Sequence, residues 1–378
     1  MKIAIITSTF PPYRGGMGNV AYFHARELAR LGHEVTVFCP KPLGDGVRDE
    51  EFAIKYLRPI FRYGNAAYVP GLKNELSGFD IVHLHYPFFG GAEAALSWKK
   101  KNPAAKMAMT YHMDTVGKGW LAWFFKIYKS IYLKKILAAA DRVFISTQDY
   151  ARSGDLKQYI EDDPEKFLVS NLGVDVGRFH PGFPSDELVE KHGIEKDDFA
   201  LLFVGGLDRA HYFKGLRNLL RAFAAIGNPN LKLLIVGGGD LQPEYEAEAK
   251  KLGIEKRVNF VGGVSNEDLP DFYRLCDILV FPSVDRSEAY GLVALEAGAT
   301  AKATIASNLP GVRFVVKDGE TGKLIDPDDV EGLEEAIKFF VKNPSIAIKY
   351  GENALDRVHK EFTWPVIVEK MSEFYKEL

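Results

Sequence analysis

The chain has 378 residues, 47% of them hydrophobic and 26% charged, with a formal net charge of −3. That length exceeds one typical core and suits two domains of roughly 180 residues, and the composition excludes disordered and collagen-like classes. No apolar stretch approaches the roughly 18 residues of a membrane span, and the apolar start at 1–6 is too short for a signal peptide before it meets Pro11-Pro12. Two cysteines, Cys39 and Cys276, exclude a disulfide framework and favour a reducing, cytoplasmic setting. The charge is uneven: residues 1–170 hold 23 Lys and Arg against 17 Asp and Glu, and the remainder holds 25 against 34. A basic half beside an acidic half suggests different partners, unless it is simple drift of surface charge.

In chain order, residues 2–9 form a β-rich apolar run that ends in a Pro/Gly turn. Val20, Phe23, Ala25, Leu28 and Leu31 then give a helical period over 19–31, stopped by Gly32. Strands are predicted at 34–38, 52–57, 81–84, 106–111 and 143–146, with helical stretches between several of them. The pattern breaks at 171–184, where Gly173, Gly177, Pro181, Gly182 and Pro184 crowd together as a linker would. A second series follows: strands at 200–204, 231–236, 258–261, 278–281 and 303–306, with helices at 216–225, 244–252 and 266–275 and another from near Gly291. Helices at 330–341 and 346–360 close this half. A last helix, 366–378, is set off by Pro365 and placed to cross back to the first domain. Strands alternating with helices argue two α/β domains of one type, each a doubly wound, mostly parallel sheet.

Ligands of such sheets bind beyond the carboxyl ends of the strands, so the loops after strands are the informative ones. Residues 13–19 read Y-R-G-G-M-G-N, a loop that can cradle phosphate or admit a sugar to the backbone, or is simply a turn. Its spacing is not G-x-G-x-x-G, and Cys39-Pro40-Lys41 after the second strand offers no acid to a ribose. His83 and His85 flank Leu84 and share a face, but no Cys or carboxylate stands at ligand spacing, which argues against a metal. His112 and Asp114 follow strand 106–111, where a histidine serves either structure or chemistry. The loop 204–215 carries Arg209 and Lys214 ahead of a helix near Gly215. A guanidinium fork and a point charge there suit a diphosphate, and a solvated loop is the alternative. Gly237-Gly238-Gly239 makes a side-chain-free wall for a base or sugar. Asp326-Pro327-Asp328 reads as a turn and helix cap rather than a metal holder.

Residues 287–296, S-E-A-Y-G-L-V-A-L-E, join strand 278–281 to a helix. Glycine at the helix mouth and its unpaired N–H groups favour an anion, and Glu296 stands roughly 7–8 Å along the axis from Gly291, about the reach from a diphosphate to a ribose. Alone, the two glutamates read equally as a turn and a wet helix face. Residues 117–135 interleave Trp120, Trp123, Phe124, Phe125, Tyr128 and Tyr132 with five lysines and no acid. That pattern suits an anionic membrane surface on its cytoplasmic side, or a core helix with a wet lysine face.

Taken together these motifs resemble the retaining, family 4 nucleotide-sugar glycosyltransferases of the GT-B fold. The signature E-x7-E is met by Glu288 and Glu296. The likeness extends over Phe10-Pro11-Pro12 with Gly15-Gly16, His85, Thr110-Tyr111-His112, Asn171–Asp175, Lys214-Gly215 and Asn308–Gly311, almost the whole chain. The resemblance implies two Rossmann-like domains facing a deep cleft: an acceptor domain at 1–178, a donor domain at 179–361, and a helix at 362–378 returning to the first. By the same resemblance Glu296 binds the donor ribose and Glu288 the sugar hydroxyls. Backbone at Tyr290, Gly291, Leu292 and Val293 holds the diphosphate with Lys214, and Gly16 approaches the distal phosphate. His112 lies beside the reacting sugar, with His85 and Asp114 toward the acceptor and Gly238 toward the donor. The family carries arginine where this chain has Gly206, and Arg209 is the replacement to expect. Where the family has E-A-M-A-S-G-x-P, residues 296–303 lack the glycine and proline, a change at the helix exit.

The implied activity is retaining transfer of a hexosyl group from a UDP- or GDP-sugar to a glycan, lipid-linked or small-molecule acceptor, without metal, other cofactor or nucleic acid. A GT-B-shaped nucleotide-sugar epimerase and a non-catalytic nucleotide- or glycan-binding relative are the rivals.

Overall fold

Apolar runs that do not alternate become strands buried on both faces, as parallel sheets covered by helices require. Ile3, Ile5 and Ile6, like Leu201, Leu202 and Phe203, have no exposed surface. The computed structural model describes residues 1–12, 16–42, 46–64, 66–115 and 119–378, with backbone alone at Trp120 and Leu121. The chain divides into two units, residues 1–172 with 364–378, and residues 173–363.

The first unit holds β1 (Lys2–Ile6), β2 (Glu34–Pro40), β3 (Ala53–Leu57), a separate antiparallel hairpin of β4 (Phe61–Tyr63) and β5 (Ala66–Tyr68), then β6 (Ile81–Tyr86), β7 (Lys106–Tyr111), β8 (Arg142–Ile145) and β9 (Phe167–Val169). Its sheet runs β3-β2-β1-β6-β7-β8-β9, every pair parallel. The second unit holds β10 (Phe199–Val204), β11 (Leu231–Val236), β12 (Val258–Gly262), β13 (Ile278–Phe281), β14 (Ala303–Ser307) and β15 (Gly322–Ile325). Its sheet is also wholly parallel, in the order β12-β11-β10-β13-β14-β15. Both sheets thus reverse their winding once, between β1 and β6 and between β10 and β13. At such switch points the two neighbouring crossovers leave in opposite directions and open a crevice for ligand.

The expected α/β architecture is therefore observed twice. β1 stops at Ile6 rather than residue 9, because the Thr7 hydroxyl donates to Thr9 O at 2.9 Å and turns the backbone. The last helix, Trp364–Lys376, carries Pro365 in its first turn, where a missing N–H costs nothing. It packs on helix Gly16–Arg30: Trp364 lies flat on Phe23, with ring centroids 4.9 Å apart and planes 7° off parallel. The return to the first unit is thus held by apolar stacking. Cys39 and Cys276 are both free and buried, and burial pushes each thiol up to about 12.

Candidate active site

In the second unit the loops after β10 and β13 meet at the switch point. The N–H of Val284 donates to Phe213 O at 2.7 Å, tying one loop to the other. Gly215 sits in the left-handed region at φ 72°, and a Cβ there would stand 2.0 Å from Pro282 O. Only glycine permits both that backbone and that approach. The suture brings Lys214 Nζ to 2.6 Å from Glu288 Oε2, with both side chains largely buried. The ammonium lies 5.1 Å from the Phe281 ring centroid and 5.4 Å from that of Phe213, so two aromatic rings supply part of the field that water would have supplied.

Helix Leu292–Ala299 opens from the same loop. Gly291 precedes it in left-handed conformation at φ 89°, where a Cβ would strike the Phe281 ring at 2.7 Å. The first-turn N–H groups, at Leu292 and Val293, have no intrahelical partner by construction and carry the positive end of the helix dipole. Tyr290 is buried beneath them. Glu296, on the next turn, accepts a hydrogen bond from the Tyr273 hydroxyl at 2.6 Å. Burial pushes its carboxyl above the usual range, opposed by that hydrogen bond and by the charges of Arg178 and Lys214. Lys214 is thus electrostatically coupled to both glutamates. Tyr273 and Arg178 escape the sequence reading because neither follows a strand: one is mid-helix, the other in the linker.

The remaining residues of this half fall elsewhere. Arg209 is 80% exposed at its side chain, and its guanidinium stands 3.5 Å from Asp240. A Cβ at Gly206 would lie 2.7 Å from His211 Nδ1, so a side chain there would have to displace that ring. His211 is in turn held by Asp208 at 2.8 Å. In the triglycine run the steric need falls on Gly237 and Gly239, whose Cβ atoms would collide with the backbone of Gly205 and Leu207 at 1.9 and 2.2 Å. Gly238 is exposed, and its carbonyl accepts from Leu207 N–H at 3.0 Å. In the Asp326-Pro327-Asp328 turn, Asp328 accepts from Asn218 at 2.9 Å, and the cap of the following helix is Asp329.

The first unit supplies a column of histidines. His83 and His85 point to the same side of β6, and their rings stack with centroids 5.0 Å apart. His112, at the end of β7, continues the stack at 5.0 Å from His85, and His24 approaches His85 from helix Gly16–Arg30 at 5.2 Å. All four are buried, and burial holds every ring below the usual histidine range, His83 and His112 at about 3. They are neutral at physiological pH. His85 Nδ1 lies 2.9 Å from His112 Nε2, while His85 Nε2 has no partner among the described residues. An orphaned buried N–H costs more than an orphaned lone pair. We therefore assign the shared proton to His85 Nδ1, which leaves His112 as the Nδ1–H tautomer.

His24, His83 and His85 each offer a nitrogen within 4.8 Å of the others, a spacing that suits metal ligands. Both nitrogens of His83 are already engaged, however, Nε2 with Thr110 Oγ1 at 2.6 Å and Nδ1 with the Tyr375 hydroxyl. A metal would have to break one of these contacts. Asp114 accepts from the Tyr111 hydroxyl at 2.7 Å and lies 3.4 Å from Asp155 N–H. His85, expected toward the acceptor, has no exposed surface and touches His112 instead. Gly16 is exposed at the start of its helix, and Gly15 lies outside the described residues.

Family models match both halves: "Glycosyltransferase Family 4" over residues 14–178 and "Glycosyl transferases group 1" over 184–357. The O-antigen chain mannosyltransferase C of Escherichia coli is 29% identical over 100% of this chain and 99% of its own. The D-inositol 3-phosphate glycosyltransferase of Corynebacterium glutamicum is 30% identical over 100% of this chain and 97% of its own. Among solved structures, HepE of Anabaena in complex with UDP superposes with a TM-score of 0.77 at 19% identity, covering 100% of both chains.

Proposed function

The chain belongs to the family 4, or group 1, glycosyltransferases and has their GT-B fold, and from that premise we propose that it moves a hexosyl group from a nucleoside-diphosphate sugar, UDP- or GDP-linked, with retention of configuration. The proposed acceptor is a glycan, a lipid-linked sugar or a small-molecule hydroxyl. One observation carries the reading: a buried lysine–glutamate pair at the switch point of the second sheet, beside an open helix mouth.

In the free protein Glu288 neutralises Lys214. An arriving diphosphate offers the ammonium a better partner, and Glu288, released, accepts hydrogen bonds from the sugar hydroxyls. Glu296, held by Tyr273, receives the ribose. As the bond from the anomeric carbon to the phosphate oxygen breaks, negative charge grows on the phosphate. Lys214 and the N–H groups of Leu292 and Val293 stabilise it. The acceptor oxygen attacks on the face the phosphate leaves, and its proton passes to the departing phosphate. His112 serves this transfer as a neutral N–H donor rather than a base, with His85 fixing its tautomer and Asp114 bracing the strand end. Gly16, with Gly15 before it in sequence, is proposed to serve the distal phosphate. Arg209 contributes through the general field of the loop, since its nearest charge is Asp240.

We further propose that helix Trp120–Tyr128 rests on an anionic membrane face. Trp123, Phe124, Ile127 and Ile131 are all exposed, three of them spaced four residues apart as one helical stripe. Among the described residues no helix is long and apolar enough to cross a membrane, so the contact would be peripheral.

Thermal shift with UDP-, GDP- and ADP-sugars tests the donor reading. One nucleotide class should raise Tm in the native chain by mass action, and Tyr273→Phe, which frees Glu296, should reduce that shift. No shift with any of the three classes would overturn the reading.

A further inference from the structure

The hairpin of β4 and β5 lies outside both sheets and presents an unusual face to water. Phe61 and Tyr68 are register partners, as are Tyr63 and Ala66, so these side chains stand on one side of the ribbon. Phe61 is 65% exposed, Tyr63 59% and Tyr68 50%, and Ile60 beside them 74%. Ala67 points the other way and is buried. A soluble ribbon normally turns its polar residues outward, and a contiguous exposed apolar face of this kind marks a contact surface.

The hairpin is fastened to the element that carries the helical stripe. Ala67 N–H donates to Phe89 O at 3.1 Å. Gly90, at φ 93°, lets the two backbones close up, since a Cβ there would sit 2.3 Å from Ala67 O. The Phe89 ring packs on the other side against Phe125 and Tyr128, with centroids at 5.4 and 4.6 Å. One residue therefore bridges hairpin and helix.

Charge selects the occupant. Residues 52–74 and 115–140, flanked by Glu51, Glu75, Asp114 and Asp141, together contain nine Lys and Arg, of which Lys55 is held by Glu75 at 3.2 Å. Arg58, Lys126, Lys134 and Lys135 are exposed, whereas Lys129 is held by Asp155 at 2.7 Å. Two copies of this surface would repel each other, while an anionic bilayer satisfies both the cations and the aromatic face.

We propose that the hairpin is a second membrane-contact element, placing Ile60, Phe61, Tyr63 and Tyr68 in the headgroup region beside helix Trp120–Tyr128. This rests on the membrane reading of that helix. Co-sedimentation of the full chain with phosphatidylcholine vesicles, with and without about 30 mol% phosphatidylglycerol, tests it. The native chain should pellet only with the anionic vesicles. Phe61→Ser with Tyr63→Ser should weaken partitioning at least ~10-fold with Tm unchanged, and Trp123→Ser with Ile127→Ser should do likewise. Tyr63→Trp should bind at least as tightly as the native chain, which keeps the test open should the serine variant misfold. If the hairpin variant binds like the native chain while the helix variant does not, the hairpin proposal fails and the helix reading stands. If the native chain binds no vesicle, both fail. A concentration-dependent dimer abolished by the hairpin substitutions, with no vesicle binding, would assign the surface to a second copy and overturn the proposal.

Discussion

Glu288 is 8% exposed, and without the ammonium of Lys214 at 2.6 Å it would be an uncompensated buried carboxylate. Removing one partner of such a pair costs more than removing both, because the survivor keeps its desolvation penalty. Lys214→Ala should therefore destabilise the chain by ~2–4 kcal/mol in urea titration, and the double variant with Glu288→Gln should recover most of that. A destabilisation that simply adds in the double variant would show the pair to be uncoupled. The two glutamates stand out through the E-x7-E signature of the resembled family, since their spacing alone reads equally as a wet helix face, and Lys214 through its place ahead of a helix. Tyr273 was not, because its hydroxyl reaches Glu296 across 23 positions of sequence. His24 was equally hidden: strand alternation put His83 and His85 on one side, but only packing brings a helix residue against them.

The strands buried on both faces are the elements most plainly written in the sequence. The predicted 106–111, 231–236 and 278–281 coincide with β7, β11 and β13, because an unbroken apolar run bounded by turn residues leaves few alternatives. The short elements were missed for the opposite reason. β9 has three residues, and Lys323-Leu324-Ile325 of β15 lies between turn-rich flanks that mask it. The hairpin was missed because a ribbon with aromatic residues outward lacks the usual polar alternation. At the exit of helix Leu292–Ala299, Ala301, which stands where the resembled family's motif has glycine, adopts φ 58°. Lys302 N–H still closes the turn on Ala297 O at 2.8 Å, so the backbone shape is kept and the Cβ bears the strain. Ala301→Gly should raise stability by ~0.5–1 kcal/mol, the relief of left-handed strain less the added freedom of the unfolded chain. A lower Tm would mean that the left-handed Ala301 carries no net strain.

Across the whole molecule, the histidine column makes stability depend on pH. His24, His83, His85 and His112 are held neutral by burial, below the value of about 6.5 they regain on unfolding. The unfolded chain therefore binds more protons in acid. The contribution is fully present above pH ~6.5 and is lost as pH falls toward the folded values, at up to ~1.4 kcal/mol per pH unit for each ring. Urea midpoints should drop steeply between pH ~6.5 and ~4. His24→Phe should flatten that slope without loss at neutral pH, since neither ring nitrogen of His24 has a partner among the described residues. An unchanged slope would mean that His24 is not buried neutral.

The Lys214–Glu288 pair is the proposed catalytic centre of the sugar transfer, and kcat for acceptor glycosylation, with the donor that thermal shift selects, measures its role directly. Lys214→Ala and Glu288→Gln should each lower kcat at least ~10²-fold, the scale of one lost transition-state contact, and the stable double variant should remain as inactive as either. Transfer at native rates by the double variant would remove the pair from the catalytic machinery.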